Sequence, residues 1–128
     1  KILTYSVTSF SFFGGAHPIT NLIYLNIYKD SPHCALLKEI FKPGYENQLD
    51  KIIEAKFRWQ KKLDTTKPLT NAGLFENKIL HNNNFAILAD RIRFYYNPAE
   101  IAAYSEGGIT IEIPFVEMKD ILNEDFGK

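Results

Sequence analysis

The sequence predicts an α+β domain with a mainly antiparallel sheet of about four to five strands, one long helix and a C-terminal helix. Three observations predict it. Residues of alternating polarity come in neighbouring pairs of segments, which is how antiparallel strands arrive along a chain. Only residues 46–63 carry a long apolar stripe at helical spacing. Strand pairs and helices come in separate blocks rather than strict alternation. With 128 residues the chain fits one domain, 1–128, large enough to bury a core without disulfide or metal staples.

Leu3, Tyr5 and Val7 alternate with Thr4, Ser6 and Thr8, and Ile23, Leu25 and Ile27 alternate with Tyr24, Asn26 and Tyr28. Both are strand patterns, and Gly14 and Gly15 between them make the pair a hairpin with a wide loop. Asp30-Ser31-Pro32 is a turn signal. Leu36, Leu37, Ile40 and Phe41 form a short turn of helix that Lys42-Pro43-Gly44 ends. In the long helix Leu49, Ile52, Ile53, Phe57 and Leu63 mark the buried stripe, and Glu54 and Arg58 can pair one turn apart. Residues 64–73 read as a loop, 74–80 as a short helix, and Asn82-Asn83-Asn84 as a break.

Phe85 to Leu88 and Ile92 to Tyr96 then read as two strands around a tight turn at Ala89-Asp90-Arg91. In the second, Ile92, Phe94 and Tyr96 are expected to face the core, with Arg91, Arg93 and Tyr95 outside. Asn97-Pro98 stops it. Residues 99–104 read as an irregular or single-turn segment, and Gly107-Gly108 breaks the chain again. Ile109, Ile111 and Ile113 alternate with Thr110 and Glu112 in a last strand, where Pro114 sits near the end and its missing N–H is tolerated. Residues 116–122 read as a terminal helix.

Composition narrows the chemistry. Fifteen basic and fifteen acidic residues give a net charge near zero, which argues against nucleic acid as a partner. His17, His33 and His81 show neither HxH nor HExxH spacing, so no metal and no cofactor is expected. The lone Cys34 cannot form an intrachain disulfide and reads as a small buried hydrophobe. Neither glycine pair has the spacing of a phosphate loop. Glu100, Glu106 and Glu112 are acids that could act in pairs on a sugar, but their spacing does not single them out from surface charge. There is no signal peptide and no membrane span in these residues. The chain starts at Lys1, so it reads as a processed product or as lacking an upstream region, and the missing signal does not argue for the cytoplasm.

Three segments resemble a known family. "FFGGAHP", 12–18, is similar to a YxGGAHP-type hairpin. "ALLKEIFKPGY", 35–45, resembles an LxLxDLFxxGY segment, with Phe41, Gly44 and Tyr45 in place. Residues 84–115 resemble a closing signature through Asn84, Phe85, Phe94, Tyr95, Pro98, Glu100, Ile101, Ala102, Tyr104, Gly107, Ile113 and Pro114. The family is a domain of unknown function found at the C-terminus of RsiV-type lysozyme-sensing anti-sigma factors, beside the catalytic domain of some peptidoglycan deacetylases, and in bacterial lipoproteins. Ala99 stands where the family usually has Tyr, and Ala103 where it usually has Pro.

The resemblance implies a fold like a small subdomain of the actin/Hsp70 ATPase type, without ATPase activity. It implies an extracytoplasmic location, in the periplasm or at the cell surface, with the membrane reached only through an anchor outside this chain. It implies a non-catalytic binding or sensing module whose partner is a protein such as lysozyme or a cell-wall glycan. A glycan-acting enzyme and a purely structural accessory domain are the alternatives. The binding candidates are Phe12, Phe13 and His17 at the hairpin tip and Asn97, Glu100, Tyr104 and Glu106 in the 97–107 loop. Gly14, Gly15, Pro98, Gly107 and Pro114 are the structural positions of the motifs. His17 is expected to pack or hydrogen-bond at the hairpin base, against the 97–107 loop.

Overall fold

The computed structural model of the chain describes residues 2–12, 14–15 and 18–126. Its strands are β1 (Ile2–Ser11), β2 (Ile19–Tyr28), β3 (Phe85–Ile87), β4 (Arg91–Tyr96) and β5 (Ile109–Pro114). Its helices are α1 (Leu37–Ile40) and α2 (Glu46–Lys61). Short 3-10 turns occupy Leu69–Ala72, Tyr104–Glu106 and Phe115–Met118. The class is α+β, as expected, but the strands form two antiparallel sheets: β1-β2 and β3-β4-β5.

The core lies between α2 and the three-stranded sheet. Leu49, Ile53 and Phe57, spaced to fall on one side of α2, are fully buried. They share a cluster with Ile92, Phe94 and Tyr96 of β4 and Ile111 and Ile113 of β5. The alternation of β4 therefore sorts its faces as expected, with the apolar set inward. Outside, Arg93 Nε donates to Glu112 Oε2 at 2.6 Å and Arg91 Nη1 to Glu112 Oε1 at 3.2 Å. The predicted Glu54–Arg58 pair forms at 2.9 Å. Burial pushes the Tyr96 hydroxyl pKa far up, and that hydroxyl donates to the carbonyl of Leu80 at 2.6 Å.

β1 and β2 pair in continuous register from Ile2↔Tyr28 to Ser11↔Ile19. β2 lies beside β3 without a backbone ladder to it. Side-chain amides stand where ladder bonds would form. Asn26 Nδ2 donates to the carbonyl of Phe85 at 2.7 Å, and Asn26 Oδ1 accepts from the Ile87 N–H at 3.0 Å. Asn84 likewise accepts from the Tyr24 N–H and donates to the carbonyl of Leu22, both at 2.8 Å. The inserted side chains hold the two backbones apart, which is why the expected single sheet is divided.

Three local expectations are corrected. Residues 74–80 are not helical. Leu74 bridges to Ala102, and the Phe75 N–H donates to the carbonyl of Ile101 at 2.9 Å, so this backbone is committed to a distant segment. The helical turn lies earlier, at Leu69–Ala72, in the stretch read as a loop. Residues 116–122 hold the end of a 3-10 turn rather than a helix, because Leu122 bridges to Phe41 and the Ile121 carbonyl accepts from Lys42 at 2.7 Å. Cys34 is exposed, not buried. It bridges to Ile27 at the strand edge, and its neighbour Ala35 takes the buried position.

Candidate functional site

The base of the hairpin tip and the 97–107 loop are joined by a hydrogen bond. Gly14 turns the hairpin with φ of +84°, a conformation that L side chains resist. Phe10 and Phe12, at the ends of the strand that enters this turn, are 68% and 60% exposed. Phe13 and His17 lie outside the described residues, so the position expected for His17 is not described. On the return strand the Tyr104 hydroxyl donates to the carbonyl of Pro18 at 3.0 Å. That bond ties the 97–107 loop to the base of the tip.

The loop begins with Asn97-Pro98-Ala99-Glu100. The Glu100 N–H donates to the carbonyl of Asn97 at 2.9 Å, and Ala99 has φ of +71°. Proline in second place and a positive φ in third define a type II turn. Asn97 then clamps the hairpin: its Oδ1 accepts from the Leu22 N–H at 2.7 Å and its Nδ2 donates to the Leu22 carbonyl at 3.0 Å. Glu100 uses both oxygens internally. Oε1 accepts from the Asn97 N–H at 2.8 Å and Oε2 from Asn82 Nδ2 at 3.2 Å. The exposed Glu106 lays its carboxylate over Gly73, where a Cβ would meet it at 3.1 Å. Gly107 closes the loop with φ of +76°, and Gly108 passes so close to the Tyr95 hydroxyl that it has no room for a side chain. Pro114 ends β5 opposite Arg91, as its missing N–H requires.

The tip presents exposed Phe10 and Phe12, and the 97–107 loop, fixed by hydrogen bonds, carries an exposed acid, Glu106, whose carboxylate lies over Gly73. Asn97 and Tyr104 hold the hairpin, Glu100 holds the turn, and Phe12 and Glu106 offer exposed surface. Among the described residues no group of three His, Cys, Asp or Glu side chains is placed to hold a metal ion. No helix among them is long and apolar enough to cross a membrane. A groove of about 1060 Å³ lies at the other end of the hairpin, between Tyr28, Glu39, Phe115 and Phe126, and none of the candidate residues lines it.

Two features were not singled out in the sequence. The first is the seam that Asn26 and Asn84 form with Asn97, the last of which was expected to bind a partner rather than to clamp the hairpin. No local pattern marked it, since Asn26 belongs to the polar set of an alternating strand, the set such a pattern places outward. The second is His81, whose Nδ1 and backbone nitrogen both lie 2.7 Å from Asp50 Oδ1. Asp50 and His81 are distant in sequence, and the pair clamps α2 to the segment before β3.

Residues 38–116 match a family described as a protein of unknown function, DUF3298. No curated protein matches the chain. A solved member of that family from Bacteroides fragilis NCTC 9343 is 28% identical and superposes with a TM-score of 0.88, over 97% of this chain and 49% of its own. A DUF3298 family protein from Pseudomonas aeruginosa PAO1, 19% identical, shares the fold at a TM-score of 0.75, over 96% of this chain and 56% of its own. The chain thus spans about half the length of these solved relatives. The matched residues include the second and third sequence motifs from Lys38 onward and the whole 97–107 loop, while the GGAH hairpin lies outside them. With more than half of its length matched, the chain belongs to the DUF3298 family.

Proposed function

We propose that this chain is a non-catalytic binding or sensing module of a bacterial envelope protein, acting outside the cytoplasm. Any membrane attachment runs through an anchor outside these residues. One observation carries the reading: the hairpin tip exposes Phe10 and Phe12, and its base is tied through Pro18 to the 97–107 loop, which carries the exposed Glu106. Aromatic anchors next to acids suit a basic protein ligand such as lysozyme, because the aromatics supply contact area and the charge guides encounter. The resemblance to lysozyme-sensing anti-sigma factors and peptidoglycan deacetylases supports the same reading. It supports an architecture like a small actin/Hsp70 subdomain as well, read here as shape alone.

Calorimetry at low salt tests the reading. The chain at about 100 μM is titrated with lysozyme and, separately, with soluble peptidoglycan fragments; a Kd near that concentration corresponds to about −5.5 kcal/mol. Binding of lysozyme that Phe12→Ala weakens, and that salt weakens further, is the expected result. Binding of fragments alone makes the ligand a glycan. Fragment cleavage detected alongside binding makes the module a glycan-acting enzyme. No heat with either ligand leaves a structural role.

A further inference from the structure

The β1–β2 hairpin turns its apolar face away from the body of the protein. Leu3, Tyr5 and Val7 of β1 lie opposite Ile27, Leu25 and Ile23 of β2. Apart from the half-buried Ile27, these side chains are 37–51% exposed. The opposite face carries Thr4, Tyr24 and Asn26, whose side chains hydrogen-bond to the rest of the domain. The orientation is therefore fixed by polar bonds, and it leaves the apolar side outward. No Asp, Glu, Lys or Arg occurs between residues 2 and 28, in a chain whose charged fraction is 23%. Exposed hairpins normally carry charges that block edge pairing and aggregation. Among the described residues β1 pairs only with β2, so its outer edge is open as well.

We propose that this face seats a second folded unit of the same polypeptide, of the kind that fills the remaining half of the solved relatives' length. Two observations select this occupant. The relatives match 96–97% of this chain, yet only 49% and 56% of their own length, so a comparable mass of protein accompanies this unit in each. The face also has no charge with which to steer a freely diffusing partner. A tethered unit needs no steering, because the linker supplies a high effective concentration. The occupant presents an uncharged, apolar surface about 17 Å long, the span of five strand residues. The assignment is independent of the ligand reading, which concerns the hairpin tip and the adjoining loop.

Hydroxyl-radical footprinting of the 128-residue chain and of the encoded polypeptide at its natural length tests it. Leu3, Tyr5, Val7, Ile23 and Leu25 are expected to be labelled at least fivefold more slowly in the natural-length protein, with Phe10 and Phe12 at the tip unchanged. A double variant, Val7→Lys with Ile23→Glu, which places opposite charges on directly paired positions, is expected to leave the melting temperature of the 128-residue chain within about a degree. In the natural-length protein it should restore fast labelling at Leu3, Tyr5 and Leu25. Equal labelling of this face in the two proteins overturns the proposal. So does protection that appears in the 128-residue chain alone and grows with its concentration, because a second copy then covers the face.

Discussion

At Ala99 a single dihedral angle decides what the 97–107 loop costs. The third position of a type II turn favours glycine, and this chain places an alanine there at φ of +71°. A non-glycine residue in that region carries a strain of about 1–3 kcal/mol, part of which glycine returns as lost chain entropy. Ala99→Gly is therefore expected to raise stability by about 1 kcal/mol, seen as a melting temperature higher by about 4 °C. Asn26 acts in the opposite direction. It is the one buried polar side chain among the described residues, and it satisfies two backbone groups of β3. Asn26→Leu leaves those groups without partners and is expected to cost about 1–3 kcal/mol in a denaturant titration. Glu112 sets a pH dependence. The hydrogen bond from Arg93, with the charge of Arg93 and the contact with Arg91, holds its carboxyl below the usual value of 4.5. A pKa depressed in the folded state means stability that is present above the unfolded value and lost as pH falls through the folded one. The stability gap between the native chain and Glu112→Gln should accordingly be constant near neutral pH and shrink below about pH 4.5. A gap that widens on acidification would contradict the pairing.

At the scale of elements, the helix and the core strands were legible because their burial pattern is local. Leu49, Ile53 and Phe57 repeat at helical spacing and all three are fully buried, so Ile53→Ala is expected to cost about 2–5 kcal/mol, read from the shift in the unfolding midpoint. β4 was legible for the same reason, since its period of two sorts Ile92, Phe94 and Tyr96 inward without reference to any partner. The segments 74–80 and 116–122 were not legible. Their conformation is set by bridges to Ala102 and to Phe41, partners that no local pattern reveals. In the hairpin, alternation identified the strands and their pairing, but not which face the domain would take. A period-two pattern leads to the expectation that the apolar side is buried. Here the polar side docks, because Asn26, Asn84 and Asn97 offer backbone-like hydrogen bonds along one edge. At the candidate site, the turn and the exposed tip were legible from Gly14, Pro98 and Phe12. The internal use of Asn97 was not, since it depends on where β2 lies, nor was that of Glu100, which reaches the distant Asn82.

Taken as a whole, the molecule consists of two parts held by different forces. The buried cluster runs from Leu37 to Met118 and includes no residue of β1 or β2. The hairpin is attached by the asparagine seam, by Arg93 reaching the Tyr24 hydroxyl at 3.2 Å, by Tyr104 on Pro18 and by Tyr28 on Glu39. These are mostly part-buried or exposed hydrogen bonds, each worth about 0.5–1.5 kcal/mol net, whereas the core gains from apolar burial throughout. The residues that match the family, 38–116, coincide closely with that core. The hairpin is therefore expected to open as a unit while the core stays folded, which native-state hydrogen exchange can detect. Amides of Tyr24 and Asn26 should exchange through an opening cheaper than global unfolding, and should respond little to denaturant. Amides of Phe94 and Ile111 should exchange only through the global transition. Asn84→Ala should speed exchange at Tyr24 without altering Phe94, since it removes two hydrogen bonds that belong to the seam alone. If the hairpin and β4 amides instead share one opening free energy and one denaturant slope, the hydrogen bonds of the seam couple the two parts as strongly as a common core would.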